Sequence, residues 1–263
     1  MSTSFPMDGM RVRFAGETDV GMKRTHNEDN LYLPDEERLI MVADGMGGHA
    51  AGDVASKLAV ETVAGFFRAT AEDPRITWPF MIDRENRHEE NRLITGIKLA
   101  NLKIFEMAQR DSRSRGMGTT LVTCLFCDDL VLVAHVGDSR VYMIREGKIR
   151  QLTEDHSLLN DYIKMKRIAP EDVDRFPHKN VIVRALGMKE TVAVDVLRQE
   201  PRMGDLYLLC SDGLSGMVDD GDVLKLALAE KDLDRCCERL IEAANANGGA
   251  DNITVALARL EPP

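Results

Sequence analysis

Four aspartates in this chain stand where apolar runs begin or end. Asp44 closes the run 39–43, Asp138 follows the run 130–136 and a glycine, Asp212 follows 206–210 and a serine, and Asp251 precedes the run 253–260. An ionised carboxylate at the edge of a packed strand is costly unless something positive meets it. Glu28 and Asp29, just before Leu31-Tyr32-Leu33, enlarge the acidic set, although a solvated loop alone would account for two adjacent acids. All-oxygen donors suit hard divalent ions such as Mg²⁺ or Mn²⁺, whereas zinc more often recruits His or Cys. Two such ions about 3.5–4 Å apart, bridged by a carboxylate, hold a water and lower its pKa from near 15.7 toward neutrality. The resulting nucleophile suits phosphorus and needs no serine or cysteine. Arg24 could grip phosphate oxygens in a bidentate fork. A structural Ca²⁺-binding sandwich would use the same acids but would leave Arg24 without a task.

The elements that must carry these acids can be read in chain order. Val12 and Phe14 alternate with Arg11 and Arg13, a short strand with period two. Run 39–43 predicts a buried strand, and the glycines after Asp44 allow positive φ and close approach to a ligand. From Asp53 the pattern turns helical, with Val54, Leu58, Ala59, Val63, Phe66 and Phe67 on neighbouring faces. Gly45-Met46-Gly47-Gly48-His49-Ala50 also fits a dinucleotide-binding fingerprint. That fingerprint expects an acid about 20 residues on, after a second strand. The distance falls inside the first helix here, and Asp44 would face the pyrophosphate, so the cofactor reading fails.

Residues 70–91 read as a loop. Leu93, Ile97, Ala100, Ile104 and Met107 then define a second helix, whose stripe should lie on a sheet. Strands at 121–126 and 130–136 flank an Asp-Asp hairpin, and another at 141–144 precedes the turn Glu146-Gly147-Lys148. A strand at 206–210, two helices at 222–229 and 233–245, and a final strand at 253–260 complete the chain. Hairpin-length turns favour antiparallel sheets over alternating βαβ units. The expectation is an α+β fold, a β-sandwich of two antiparallel sheets flanked by pairs of helices, with the acids converging at one rim.

Composition narrows the classes. With 263 residues, 44% apolar and 30% charged, the chain reads as globular. A formal net charge of −10 argues against a nucleic-acid partner. No apolar run reaches the roughly 18 residues that span a bilayer, and residues 1–9 lack the pattern of a signal peptide. Five cysteines without a disulfide framework suggest a reducing compartment, so the expectation is cytoplasmic. Cys124 and Cys127 have zinc-like spacing but no second pair, and read as strand thiols rather than a metal site. Residues 153–186 carry Lys164, Lys166, Arg167, Arg175, His178, Lys179 and Arg184 and a short helix near Leu158. They read either as a solvated basic face or as a flap that steers anions.

Six motifs now join. Arg24-Thr-His-Asn27-Glu28-Asp29, Val42-Ala-Asp44-Gly45-Met-Gly47-Gly48, Gly118-Thr119-Thr120, Gly137-Asp138-Ser139-Arg140, Cys210-Ser-Asp212-Gly213 and Asp251-Asn252-Ile-Thr254 together resemble the metal-dependent type 2C serine/threonine protein phosphatases. The order matches as well, and Asp-Gly-Met-Gly-Gly-His is closest to the bacterial branch. The resemblance implies a single phosphatase domain over 10–262, with 153–186 as a flap subdomain. It implies hydrolysis of phosphoserine and phosphothreonine on proteins at a centre of two Mn²⁺ or Mg²⁺ ions, with no phosphoenzyme. Asp44 would bridge the ions, with the Gly45 carbonyl and Glu28 on one and Asp212 and Asp251 on the other. Asp29 would position the water, Arg24 would bind phosphate, and Asp138 would help hold a third, weaker ion. A serine/threonine kinase and its phosphorylated targets are the implied partners. Many eukaryotic members carry a histidine directly after the Asp-Gly pair, where this chain has Met46. His49 is the candidate general acid, with capping or packing as its alternative. A catalytically inactive binding or scaffold module is the rival function; it should have lost acids, and none of the expected set is missing.

Overall fold

The computed structural model describes all residues except 1–2, 48–50, 74, 169–175 and 177–180. Its strands form two antiparallel sheets. In the first, β1 (Thr3–Met7), β2 (Met10–Asp19), β12 (Ile253–Glu261), β11 (Leu206–Cys210), β8 (Arg140–Arg145) and β9 (Lys148–Gln151) lie in that spatial order. In the second the order is β10 (Asp195–Gln199), β7 (Val131–Val136), β6 (Leu121–Phe126), β4 (Leu39–Met46) and β3 (Asp29–Tyr32), with β5 (Gly118–Thr119) paired to the end of β4.

The unbroken apolar runs follow from burial on both faces. Along β4, Ile40 and Val42 face the other sheet, while Leu39, Met41 and Ala43 face helices. Helices α1 (Ala51–Glu72) and α2 (His88–Arg110) cover the second sheet, and α5 (Asp220–Ala229) and α6 (Leu233–Ala246) cover the first. The expected sandwich flanked by helix pairs is the one found. Inside it, Phe5, Phe14, Phe126 and Tyr207 form a chain of edge-to-face contacts with centroids 5.4–6.0 Å apart. Phe126→Ala is expected to cost about 3–5 kcal/mol, read as a lower denaturation midpoint with an unchanged m-value.

Some local expectations need correction. The buried stripe of α1 is Ala55, Ala59, Val63, Phe66 and Phe67, whereas Val54 is 40% exposed. The small Ala face lets the helix approach the sheet closely, which turns Val54 outward. Met107 likewise leaves the α2 stripe and is 38% exposed. Strands β1, β9 and β10 had no apolar signature. β1 pairs with β2 ahead of residue 10, and the polar β10 (Asp-Val-Leu-Arg-Gln) is an edge strand held by β7. Cys124 packs between the sheets and Cys127 against the helix side, so the two thiols do not converge. All five cysteines are free.

The segment 153–186 contains the expected short helix, α3 (Leu158–Lys164), which buries none of its residues. Its stems are tied by bridges Ser157–Ile182 and Thr119–Leu186. Lys164, Lys166 and Arg167 are exposed there, while Arg175, His178 and Lys179 lie outside the described residues. No helix among the described residues is long and apolar enough to cross a membrane.

Candidate metal centre

The β3–β4 register sets Asp29 opposite Asp44. Asp44 is fixed by its backbone: its N–H donates to Thr120 Oγ1 at 3.0 Å, and its carbonyl accepts from Thr120 N at 2.9 Å and Thr119 Oγ1 at 2.8 Å. The carboxylate is thereby left free to join its neighbours. Thr120 Oγ1 also meets Ser139 Oγ at 2.7 Å, which links this strand to the residue after Asp138. Strand β4 does not end at Asp44 but continues to Met46, and Gly45 is not at positive φ. Glycine is required at 45 for close approach, because a Cβ there would run into the Gly52 carbonyl and stand 2.5 Å from the Glu28 carbonyl oxygen.

From the other sheet, the paired strands β11 and β12 deliver Asp212, at the start of the one-turn helix α4 (Asp212–Ser215), and Asp251, just before β12. Asn252 stitches the layers together. Its Oδ1 accepts from Glu28 N at 2.8 Å, and its Nδ2 donates to Val20 O at 3.0 Å and His26 O at 2.9 Å. The Glu28 carbonyl accepts from Gly45 N at 3.1 Å and from Ser56 Oγ at 2.5 Å, and the Glu28 carboxylate lies against Gly52 of α1.

Electrostatics defines what this rim lacks. Asp29 is 5% exposed, and burial pushes its carboxyl up to about 7, although Thr254 Oγ1 at 2.7 Å and Ser211 Oγ at 2.8 Å both donate to Oδ2 and oppose the rise. Burial, then Asp29, Asp212 and Asp138, hold Asp44 well above the ordinary carboxylate range. Asp138 rises to about 7 through burial and Asp212, and Asp212 rises through burial and Asp251, a rise that neighbouring Asp44 partly offsets. One oxygen each of Asp138 and Asp212, Oδ1 in both, is buried with no hydrogen-bond partner. Mutually repelling carboxylates with orphaned buried oxygens fit divalent cations and little else.

The structure thus brings Asp29, Asp44, Asp138, Asp212 and Asp251 into one electrostatic group, with Glu28 and the Gly45 backbone beside it. Asp251 is turned toward solvent, where its Oδ2 accepts from an exposed Arg24 Nη2 at 2.7 Å. The acids do not close on a single point: among the described residues only His135, His156 and Asp195 offer three ligand atoms within 4.8 Å of one another. His49 lies outside the described residues. Sequence reading gave no role to Thr119, Thr120, Ser211, Asn252 or Thr254. Their signal is proximity in the chain, since Ser211 and Asn252 adjoin Asp212 and Asp251, and Thr254 follows Asn252 at strand period two.

Strand-end oxygens gathered from two sheets beside a guanidinium define a metal-dependent hydrolase of phosphate esters as a class. The protein phosphatase 2C family profile matches residues 22–258. The serine/threonine phosphatase stp of Listeria innocua is 38% identical over 91% of this chain and 92% of its own length, and the protein phosphatase PhpP of Streptococcus pneumoniae is 38% identical over 91% and 94%. The crystal structure of the Mycobacterium tuberculosis serine/threonine phosphatase PstP/Ppp is 37% identical, covers 95% of this chain and 99% of its own, and superposes with a TM-score of 0.82. A structure of the PstP catalytic domain holds two manganese ions. The chain belongs to the protein phosphatase 2C family and is a metal-dependent serine/threonine protein phosphatase.

Proposed function

We propose that this chain hydrolyses phosphoserine and phosphothreonine on proteins by direct attack of water at a two-ion centre, with no phosphoenzyme. The observation that carries the reading is the pair of buried, unpartnered Oδ1 atoms on Asp138 and Asp212 beside Asp44. Asp44 would bridge the ions, Glu28 and the Gly45 carbonyl would serve one, Asp212 and Asp251 the other, and Asp138 a third. Mn²⁺ is favoured by the manganese-bound PstP relative, and Mg²⁺ shares the same oxygen preference. When bound, the ions supply Lewis acidity and lower the pKa of water toward neutrality.

The chain's own residues do the rest. Asp29 has its Oδ2 engaged by the Ser211 and Thr254 hydroxyls, which leaves its Oδ1 to position the water. Arg24, exposed at the rim, exchanges Asp251 for the phosphate oxygens of the substrate. Residues 10–262 act as one phosphatase domain, with 153–186 as a basic flap that draws phosphorylated segments toward the centre. A cytoplasmic setting and a partner serine/threonine kinase fit this reading, and phosphoproteomics of a deletion strain would name the targets.

The decisive assay is Mn²⁺-dependent release of phosphate from an aryl phosphate and a phosphothreonine peptide, abolished by chelator. A scaffold protein would bind the peptide and release nothing. Arg24→Ala is expected to lower kcat/KM by about 10–100-fold, mainly through KM, and Arg24→Lys should recover only part of it because the fork is lost. An unchanged kcat/KM in both variants would remove Arg24 from the site.

A further inference from the structure

Among the described residues, the one group of three His, Cys or acidic side chains with ligand atoms within 4.8 Å of one another is His135, His156 and Asp195. The β7–β10 register sets His135 opposite Asp195, and His156 enters from the first stem of the 153–186 segment. The two imidazoles are buried and stacked, with centroids 4.6 Å apart and planes inclined by 18°.

Three such ligands invite a metal, but the tautomers argue against one. Gly137 N–H donates to His156 Nδ1 at 3.0 Å, so Nδ1 keeps the lone pair and the neutral ring carries its proton on Nε2, 3.2 Å from Asp195 Oδ2. His135 Nε2 stands 2.9 Å from the Glu154 carbonyl, which can only accept. Burial lowers the pKa of both rings, which favours these neutral forms. A protonated Nε2 offers no lone pair, so His156 cannot ligate an ion beside Asp195 while it holds Gly137.

What the bonds do instead is grip Gly137. Its amide donates to His156 Nδ1 and its carbonyl accepts from His156 N at 2.9 Å. On the opposite side Thr120 closes in: Gly137 has φ +111°, and an added Cβ would stand 2.6 Å from Thr120 Cβ. The next residue is Asp138. On the outer side, Asp195 Oδ1 accepts from Arg184 Nη1 at 2.5 Å and Val183 N donates to the His156 carbonyl at 2.9 Å. Both stems of 153–186 therefore meet at His156.

We infer that His156, oriented by Asp195, is a positioning residue that sets the backbone ahead of Asp138 and ties the 153–186 segment to the metal centre. The inference rests on Asp138 serving that centre. The imidazole acts through Gly137 and touches neither substrate nor ion.

Three substitutions separate the two ends of the ring. His156→Asn keeps an acceptor near the Nδ1 position and drops Asp195; His156→Gln reaches Asp195 and drops Gly137; His156→Ala drops both. In metal-free protein, amide exchange at Gly137 measured by NMR should stay slow in wild type and His156→Asn and accelerate by about tenfold or more in the other two. Calorimetric Mn²⁺ titration should show about 10–100-fold weaker binding, or a lost site, in His156→Gln and His156→Ala, with kcat reduced to a similar degree, KM little changed, and His156→Asn rescuing each. If His156→Ala does not fold, the contrast between Asn and Gln decides. Equal behaviour of Asn and Gln, or wild-type Mn²⁺ binding and Gly137 exchange in His156→Gln, would overturn the inference. Wild type and Asp44→Asn run beside them keep the two readings apart. An inactive wild type with Mn²⁺ defeats the phosphatase mechanism, whereas an active wild type with an unaffected His156→Gln defeats only the positioning role.

Discussion

Asp44→Asn is expected to reduce phosphatase turnover by about a thousandfold or more while the protein stays folded. The loss is large because Asp44 is the one carboxylate shared by both proposed ion positions, so removing its charge weakens both at once. The fold survives because what anchors residue 44 is its backbone, through Thr119 and Thr120, and asparagine keeps those bonds. Removing one of several repelling carboxylates should leave the metal-free protein at least as stable as wild type. Circular dichroism and thermal melting of the metal-free variant, beside turnover with saturating Mn²⁺, provide the check. A melted variant, or one that keeps a tenth of wild-type turnover, would mean that Asp44 is structural or replaceable. Asp212→Asn should follow the same pattern, since its Oδ1 is unpartnered in the buried rim.

The second large effect is the pH dependence of stabilisation by metal. Asp29 and Asp138 have carboxyls raised to about 7 from an ordinary value near 3.8, with burial the leading cause. The metal-free native state therefore holds protons that the unfolded chain has released between about pH 4 and 7. Stability from this source is fully present below the unfolded pKa and disappears as pH rises through the folded one. A divalent cation replaces those protons and reverses the trend. At pH 8, Mn²⁺ at about a hundred times its dissociation constant should raise Tm by about 5–10 °C over the chelated protein. That gap should shrink toward zero near pH 5. Reading the difference, rather than either Tm alone, cancels acid effects at groups distant from the centre. A gap that stays constant or widens toward acid would show that the raised carboxylates are not where metal binds.

Two other outcomes bear on the same centre. Losses at Arg24 should fall on substrate, while losses at His156 should fall on metal affinity and kcat. The two residues thus probe different parts of the acidic group, Arg24 exposed to the incoming phosphate and His156 buried behind Gly137.

How much of this could be read before the chain was folded differs by element. Runs such as 39–43 and 206–210 declared themselves because both faces of a sandwich strand are buried, so every position must be apolar. The strands β1 and β10 gave no such signal, since an edge strand exposes half its residues and takes its identity from a partner's open hydrogen bonds. Val54 was assigned inward from helical period alone, yet the period fixes only spacing around the axis. Which stripe faces the sheet was decided by the Ala55–Ala59 side, which permits the closer approach.

The same division runs through the site. The sequence by itself determined the inventory: acids at strand ends, glycines beside them, an arginine nearby, and their order along the chain. It could do so because an ionised group at a buried strand end must have a partner, and that requirement is local. Only the tertiary structure decided the supporting bonds. Thr120 under Asp44, Ser211 and Thr254 on Asp29, Asn252 across Glu28, and His156 on Gly137 join residues between 19 and 225 positions apart in the chain. Hydrogen bonds of that reach depend on sheet register and on the stacking of two sheets, and neither leaves a mark in composition or period.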